Sequence, residues 1–191
     1  TNPLDLADNH KIRLGTGNDL QLYHDATESF IKSNTDDLNV DGDSIKIRAA
    51  NGHAYIVCTA GAAVALRYAN SEKIATASGG ISLTGGAACN INALSDGASI
   101  TIDMALALHH SVTLGGNRAF AAPTNQAVGQ SGSIFITQDG SGSRTASWNA
   151  AFKWAGGTAP TLTTTASAVD RVDYLIKASN VIHAVATLDV K

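Results

Sequence analysis

Adjacent histidines and aspartates are the residues of this 191-residue sequence that could bind a metal or transfer a proton. His24 and Asp25 follow a short alternating run, where the simpler interpretation is a turn-forming aspartate beside a partly exposed histidine. His109 and His110 would face opposite sides of a strand, so they cannot chelate one ion from one chain. In a symmetric assembly of three copies, one of them could point at the axis. We nevertheless predict no metal and no cofactor.

An acidic run, Asp36-Asp37 followed by Asp41 and Asp43, has the composition of a calcium-binding loop. Its spacing does not fit, because the twelfth position counted from Asp41 is Gly52, where an EF-hand loop requires glutamate. We therefore expect a solvated turn.

Catalysis would need paired carboxylates or an activated nucleophile. Asp139 begins a turn, and Asp170 and Asp173 have an odd spacing that would place them on opposite faces of a strand. The segment Gly140-Ser141-Gly142-Ser143 lacks the context of a nucleophile elbow, and the sequence contains no Walker loop. We predict no catalytic residues and no enzyme activity.

Aromatic residues are the best candidates for binding a receptor. Trp148 and Trp154 would share a face on one continuous strand, where a surface ring could stack on a sugar. The alternative is that both are core residues, which Phe152 favours because it has the same parity. We name Trp148 and Trp154 as candidate receptor contacts.

Short β-strands are the elements that must position these residues. In residues 11–33, Ile12 and Leu14 alternate with Lys11 and Arg13, and a second and third run follow two turn clusters. Turns rich in Gly, Asn and Asp then separate further candidate strands at residues 38–40, 44–48, 54–58, 63–68, 73–76, 81–84, 89–92 and 98–103. Their spacing of about 8 to 12 residues is typical of an all-β repeat or meander. A short helix is the alternative for residues 103–110, DMALALHH.

The C-terminal part differs in texture, because six of the ten aromatic residues lie after residue 116. We expect strands at residues 132–137, 145–148, 169–178 and 181–188, and Ser179-Asn180 suits a two-residue hairpin loop. The sequence therefore predicts a β-rich stem at 1–116 and a β-sandwich or jelly-roll-like knob at 117–191.

Composition restricts the classes of function. The net charge of -3 and the lack of a Lys/Arg cluster argue against nucleic-acid binding. No apolar run approaches the roughly 18 residues of a membrane span. Cys58 and Cys89 lie among small neighbours, so we expect buried free thiols in a chain assembled in a reducing cytoplasm, with a disulfide as the alternative. The sequence begins with Thr1 and not with an initiating Met, which suggests a fragment or a processed product.

Strands this short bury little area each, so a thin β stem needs partners. Several identical chains around one axis would bury their small apolar faces together. We predict a homotrimer, with intertwined stems.

Two segments resemble known proteins: LADNHKIRLGTGNDLQLYHDATESFI and GSIFITQDGSGSRTASWNAAFKWAGGTAPTLTTTASAVDRVDYLI. They are similar to segments of tail-fibre and other virion structural proteins of tailed bacteriophages, especially those of marine and cyanobacterial hosts. The resemblance implies a modular, trimeric, β-rich virion protein with a stem and a knob. We expect a tail fibre or spike, in contact with other virion proteins, whose knob attaches to a host-surface glycan or protein. A capsid decoration or cement protein and a polysaccharide-degrading tailspike are the alternatives.

Overall fold

Strands make up nearly all of the regular structure in the computed structural model, which describes residues 4–191. These residues form seventeen strands and one short 3-10 helix, Ala155–Gly157. The predicted all-β class is confirmed. The expectation about Thr1 lies outside the described residues.

The chain divides into two units, the first ending at Gly86 and the second comprising Ala87–Lys191. The strands of the first unit are β1 (Lys11–Leu14), β2 (Leu20–His24), β3 (Ser29–Ser33), β4 (Ser44–Arg48), β5 (Ala54–Thr59), β6 (Val64–Tyr68), β7 (Ser71–Ala77) and β8 (Gly80–Leu83). The strands of the second unit are β9 (Ile91–Ala93), β10 (Ser99–Ile100), β11 (His109–Leu114), β12 (Arg118–Phe120), β13 (Ser131–Gln138), β14 (Ala146–Trp148), β15 (Phe152–Trp154), β16 (Val169–Ala178) and β17 (Val181–Thr187).

This division falls earlier than the boundary after residue 116 that the sequence predicted. Its cause is strand pairing, because β9 and β11 lie before residue 116 and yet share a sheet with β13. A boundary at 116 would cut that sheet. The change of aromatic content marks where large core residues become frequent, and it does not mark where the unit begins.

The first unit consists of two antiparallel meanders, β1-β2-β3 and β4-β5-β6-β7-β8. Gly15 (φ 84°) and Asn18 (φ 57°) lie in the first hairpin turn, in the left-handed region that these two residue types tolerate. The predicted strands of both meanders are confirmed to within two residues at each end. The strand predicted at 38–40 is wrong, because no strand pairs with this segment between the meanders and a strand requires a ladder partner.

The second unit is built differently, as a chain that alternates between two sheets. β9, β11 and β13 are parallel neighbours in one sheet, and β10, β12 and β14 are parallel neighbours in the other. The hairpin β16–β17 then continues the first sheet beside β13, and β15 adds to β17. A jelly roll is antiparallel, so the second unit has two sheets around one core but not the topology of a jelly roll.

One hydrophobic core lies between the two sheets of this unit. Ile134, Val172 and Ile182 come from the larger sheet, and Ile100 and Phe120 come from the smaller one. All five side chains are at most 2% exposed. Burial of each such side chain contributes about 1.5–3 kcal/mol, so this core is a main source of the unit's stability.

Residues 103–110 form a turn that leads into β11, so the alternative of a short helix is wrong. The Asp103 carboxylate accepts the Ala105 N–H at 3.0 Å, and the Met104 N–H bonds to the Thr124 carbonyl at 3.0 Å. These bonds fix the backbone outside a helix, and pairing with β13 then makes His109 and His110 extended.

Candidate functional site

His24 and Asp25 have the structural roles that the simpler interpretation gave them. The Asp25 carboxylate accepts the N–H groups of Glu28 at 2.9 Å and Thr27 at 3.0 Å, and these bonds lower its pKa. The imidazole of His24 lies 3.1 Å from the Ser29 hydroxyl. Asp25 therefore closes the turn between β2 and β3.

His109 and His110 face opposite sides of β11, as predicted. His110 is fully buried, its Nδ1 lies 3.5 Å from the Asn92 amide nitrogen, and burial lowers its pKa. His109 lies on the outer side of the sheet beside Ser133. His110 therefore belongs to the core of its own unit, and His109 is partly exposed with its Nδ1 buried.

The acidic run between the meanders does not form a cation site. Asp36, Asp37, Asp41 and Asp43 are all exposed. Across residues 4–191 no three His, Cys, Asp or Glu side chains come together as metal ligands would.

The three carboxylates considered for catalysis hold the fold of the second unit together. Asp139 binds Arg144, which lowers the pKa of Asp139, and accepts N–H groups of its own turn. Asp170 is 2% exposed and accepts the N–H groups of Thr163 at 2.7 Å and Asp189 at 2.8 Å. Each carboxylate is thus occupied by local partners.

Asp173 lies on the outer face of the larger sheet. There it belongs to a row of three side chains on three neighbouring strands, which the sequence alone could not reveal. His109, Ser133 and Asp173 are in register, and the Ser133 hydroxyl donates to Asp173 at 2.7 Å. A catalytic triad needs the histidine between the serine and the carboxylate. Here the serine is in the middle, and Arg171 also binds Asp173 at 3.0 Å. The row is structural.

Trp148 and Trp154 lie on separate strands in separate sheets, because the chain turns between β14 and β15. Their rings nevertheless meet edge to face with centroids 4.9 Å apart, and Phe120 stacks on Trp148 at 4.3 Å. Both tryptophans are partly buried and pack against the core. A receptor contact at Trp148 or Trp154 stays a prediction.

Trp154 also borders an open groove of about 530 Å³ on the second unit. Lys153, His183 and Leu175 line it from neighbouring positions on β15, β17 and β16, and Val185 extends its apolar floor. Sequence reasoning missed these residues, because nothing in the sequence gives the register of β15 with β17.

The charged side chains around the groove are a compensated carboxylate and a lysine. Asp173 at its border is compensated by Arg171 and Ser133. Lys153 and His183 take part in none of the ion pairs found among residues 4–191. Tyr174, between Asp173 and Leu175, points into the core, where burial raises its pKa to about 12 and its hydroxyl donates to the Leu108 carbonyl at 2.9 Å. The groove can therefore hold a partly apolar ligand and leaves a cation free for it.

The first unit carries a second candidate surface, the apolar face of its five-stranded meander. One row in register crosses all five strands, and its members are Ile47, Ile56, Leu66, Ile74 and Leu83. Ile47 is 55% exposed and Leu83 52% exposed. The charged side chains Lys46, Arg48 and Arg67 line a depression on the opposite face. The sheet is thus strongly two-sided.

The three-stranded meander has an apolar face as well. Ile12 is in register with Leu22, and Leu22 with Ile31, which is 65% exposed. On its other face Tyr23 stacks on Phe30 with centroids 4.7 Å apart, and the Lys11 ammonium lies 4.0 Å from the Tyr23 ring centroid. Both meanders therefore offer uncovered apolar area.

The two cysteines are free, as predicted, although Cys89 is exposed and Cys58 only partly buried. The expectation that both are buried is wrong for Cys89, because it lies in the segment before β9, outside the sheets. Cys58 lies on the apolar face of the five-stranded meander, in register with Ile45 and Val64.

Comparison with protein families, with curated proteins and with solved structures found no match for this chain. Among residues 4–191, no helix has the length and apolar character needed to cross a membrane.

Proposed function

We propose that this protein is a structural component of a tailed-bacteriophage virion, a trimeric tail fibre or spike that attaches to the host surface. In this proposal the first unit is the assembling stem, and the second unit presents the binding surface. The protein acts within the virion, after assembly in the host cytoplasm, and it is not an enzyme.

The observation that carries the proposal is the contrast in burial between the units. The only hydrophobic side chains buried in the described part of the first unit are Ala54, Ala65 and Ala75, whereas its isoleucines and leucines are largely exposed. Apolar faces of this size mark interaction surfaces. The second unit, with its own core, does not need a partner to fold.

Attachment is supported by the groove beside Trp154. Its apolar floor of Leu175 and Val185 suits the carbon face of a sugar ring or an apolar side chain. Lys153 adds a hydrogen-bond donor and a positive charge at the rim. A host-surface glycan or protein is the ligand class that we propose.

The occupied carboxylates favour attachment over hydrolysis. Glycoside hydrolysis needs two carboxylates that flank a substrate with the general acid free to give up a proton. Asp139 is bound to Arg144, and Asp170 is buried under two backbone N–H groups. Neither is free for that role.

Immunogold labelling of virions that carry this gene product tests the proposal, together with competition for adsorption. We expect label at the tail, and we expect the purified protein to block phage adsorption to host cells. Label confined to the head would contradict the tail assignment and indicate a capsid decoration protein. Release of reducing ends from host polysaccharide would contradict the non-enzymatic role.

A further inference from the structure

The apolar face of the five-stranded meander is the largest uncovered feature of the first unit. One row, through Leu66, crosses all five strands in register, and a second row joins Ile45, Cys58 and Val64 on three of them. Strands about 4.8 Å apart, with about 3.3 Å per residue, give five strands of five residues a face of roughly 300–350 Å² in plan. Side-chain relief makes the accessible area larger. This area is comparable to the largest apolar patch of a typical monomer, which is often a functional surface.

With this face uncovered, the first unit of every copy of the chain lacks a hydrophobic core. Three alanines are the only buried hydrophobic residues described in the unit, so each newly made chain lacks a core there. A unit of this size cannot offset its conformational entropy without one. The partner must therefore be present whenever the chain folds, and other copies of the same chain meet that requirement.

The charge pattern also favours identical copies. Lys46, Arg48 and Arg67 line the opposite side of the sheet, and the two rows of the apolar face contain no charged residue. Selection of a different protein usually relies on complementary charges across the interface. A flat face of uncharged side chains can pack against the corresponding faces of other copies around a common axis, with apolar area buried on every copy.

We infer that copies of this chain assemble through the apolar face of the β4–β8 meander, which places their Cys58 side chains inside a shared core. This inference rests on the proposed function, which requires assembly, and it adds the surface through which assembly occurs. In a trimer the three faces point at the common axis, and the basic sides point outward.

The chain contains its own probe and control for this inference, namely the partly buried Cys58 and the exposed Cys89. Purified full-length protein is treated with a maleimide while its mass is followed by light scattering, and each labelled cysteine is identified by peptide mass. Thiol reactivity follows access, so we expect Cys58 in the assembled protein to react at least about tenfold more slowly than Cys89. Unfolding in urea should make the two rates similar.

A matched pair of substitutions completes the test. L66D puts a charge in the centre of the apolar face, and S82D puts one on the opposite face of the same sheet. We expect L66D to lower the mass to that of one chain and to expose Cys58, while S82D leaves both unchanged. Trp148 and Trp154 both lie in the second unit, so native tryptophan fluorescence shows that this unit of the variant is still folded.

The outcomes separate the two proposals. An assembled protein in which Cys58 reacts as fast as Cys89 overturns this surface and leaves the proposed assembly intact. A folded protein with the mass of one chain overturns both. Loss of assembly in both variants also overturns the inference, because the apolar face would then have no special role.

Discussion

The two units of this chain use similar alternating strands and bury them very differently. In the second unit, β11, β13 and β16 direct Val112, Ile134 and Val172 into a core that a second sheet covers. In the first unit, the equivalent apolar positions on β4, β5 and β6 are exposed or only half-buried. The same alternation of apolar and polar residues therefore gives a buried core only in the second unit, where a second sheet covers the apolar face of the first.

This difference shows how the work is divided in the proposed virion protein. A unit with its own core can present a rigid groove regardless of the number of copies. In our proposal, the unit with uncovered faces gains its stability on assembly, which would link its fold to its oligomeric state.

The largest effect is expected from removal of a core ring in the second unit. Phe120 is 1% exposed and stacks on Trp148, so F120A should lower the free energy of unfolding of this unit by about 3–5 kcal/mol. Urea unfolding followed by tryptophan fluorescence measures this change. The matched variant in the first unit, I47A, should leave that transition unchanged and weaken assembly instead. Equal effects of both variants on the fluorescence transition would contradict the comparison.

A second prediction concerns close backbone approach in the core of the second unit. A Cβ at Gly132 would collide with the Leu108 carbonyl and lie 2.8 Å from the Tyr174 hydroxyl. G132A should therefore cost about 1–3 kcal/mol or more. The control is G140A, because a Cβ at Gly140 meets no atom within 4 Å. Unchanged urea midpoints for G132A would show that the β11–β13 packing is looser than described.

The third prediction tests the buried carboxylate beside the C-terminal strand. Asp170 accepts two backbone N–H groups, so D170A leaves buried donors without partners and should cost about 1–3 kcal/mol. D173A, on the outer face of the same strand, should cost less. Differential scanning calorimetry compares the two variants. A larger loss for D173A would mean that the sheet faces are assigned in reverse.

The smallest effect is a pH dependence from His110. Burial lowers its pKa in the folded state, whereas the unfolded chain titrates near about 6.5. Below that pH the unfolded state binds more protons, so the stability of the second unit should fall as the pH drops from about 7.5 to about 5.5. H110Q should flatten this dependence, although it lowers overall stability. Midpoints in urea at each pH give the slope, and an equal slope in H110Q would exclude His110 as its source.

Local structure could be predicted from this sequence to a large extent. Glycine and asparagine in the turns and a period of two in the strands placed both meanders of the first unit and the final hairpin of the second, because those strands pair with their neighbours in sequence. The parallel pairing of β9, β11 and β13 could not be predicted. Strands of the other sheet lie between β9, β11 and β13 in sequence, and no local residue pattern gives the register of such distant strands.

For the candidate sites as well, local features could be predicted from the sequence and contacts between distant strands could not. The turn role of Asp25 and the opposite faces of His109 and His110 follow from local rules, and the structure confirms them. The groove of Lys153, His183 and Leu175 depends on the register of three strands. Trp148 and Trp154 lie on two strands joined by a turn, so the condition of one continuous strand is not met, and their ring contact was not predicted.

The mass in solution of the intact chain and of a fragment comprising residues 87–191 shows whether the two units differ in their need for partners. Light scattering should show the intact chain as a trimer and the fragment as a folded monomer with native tryptophan fluorescence. An intact chain that is folded and monomeric would contradict the claim that the first unit needs partners. An unfolded fragment would contradict the claim that the second unit does not.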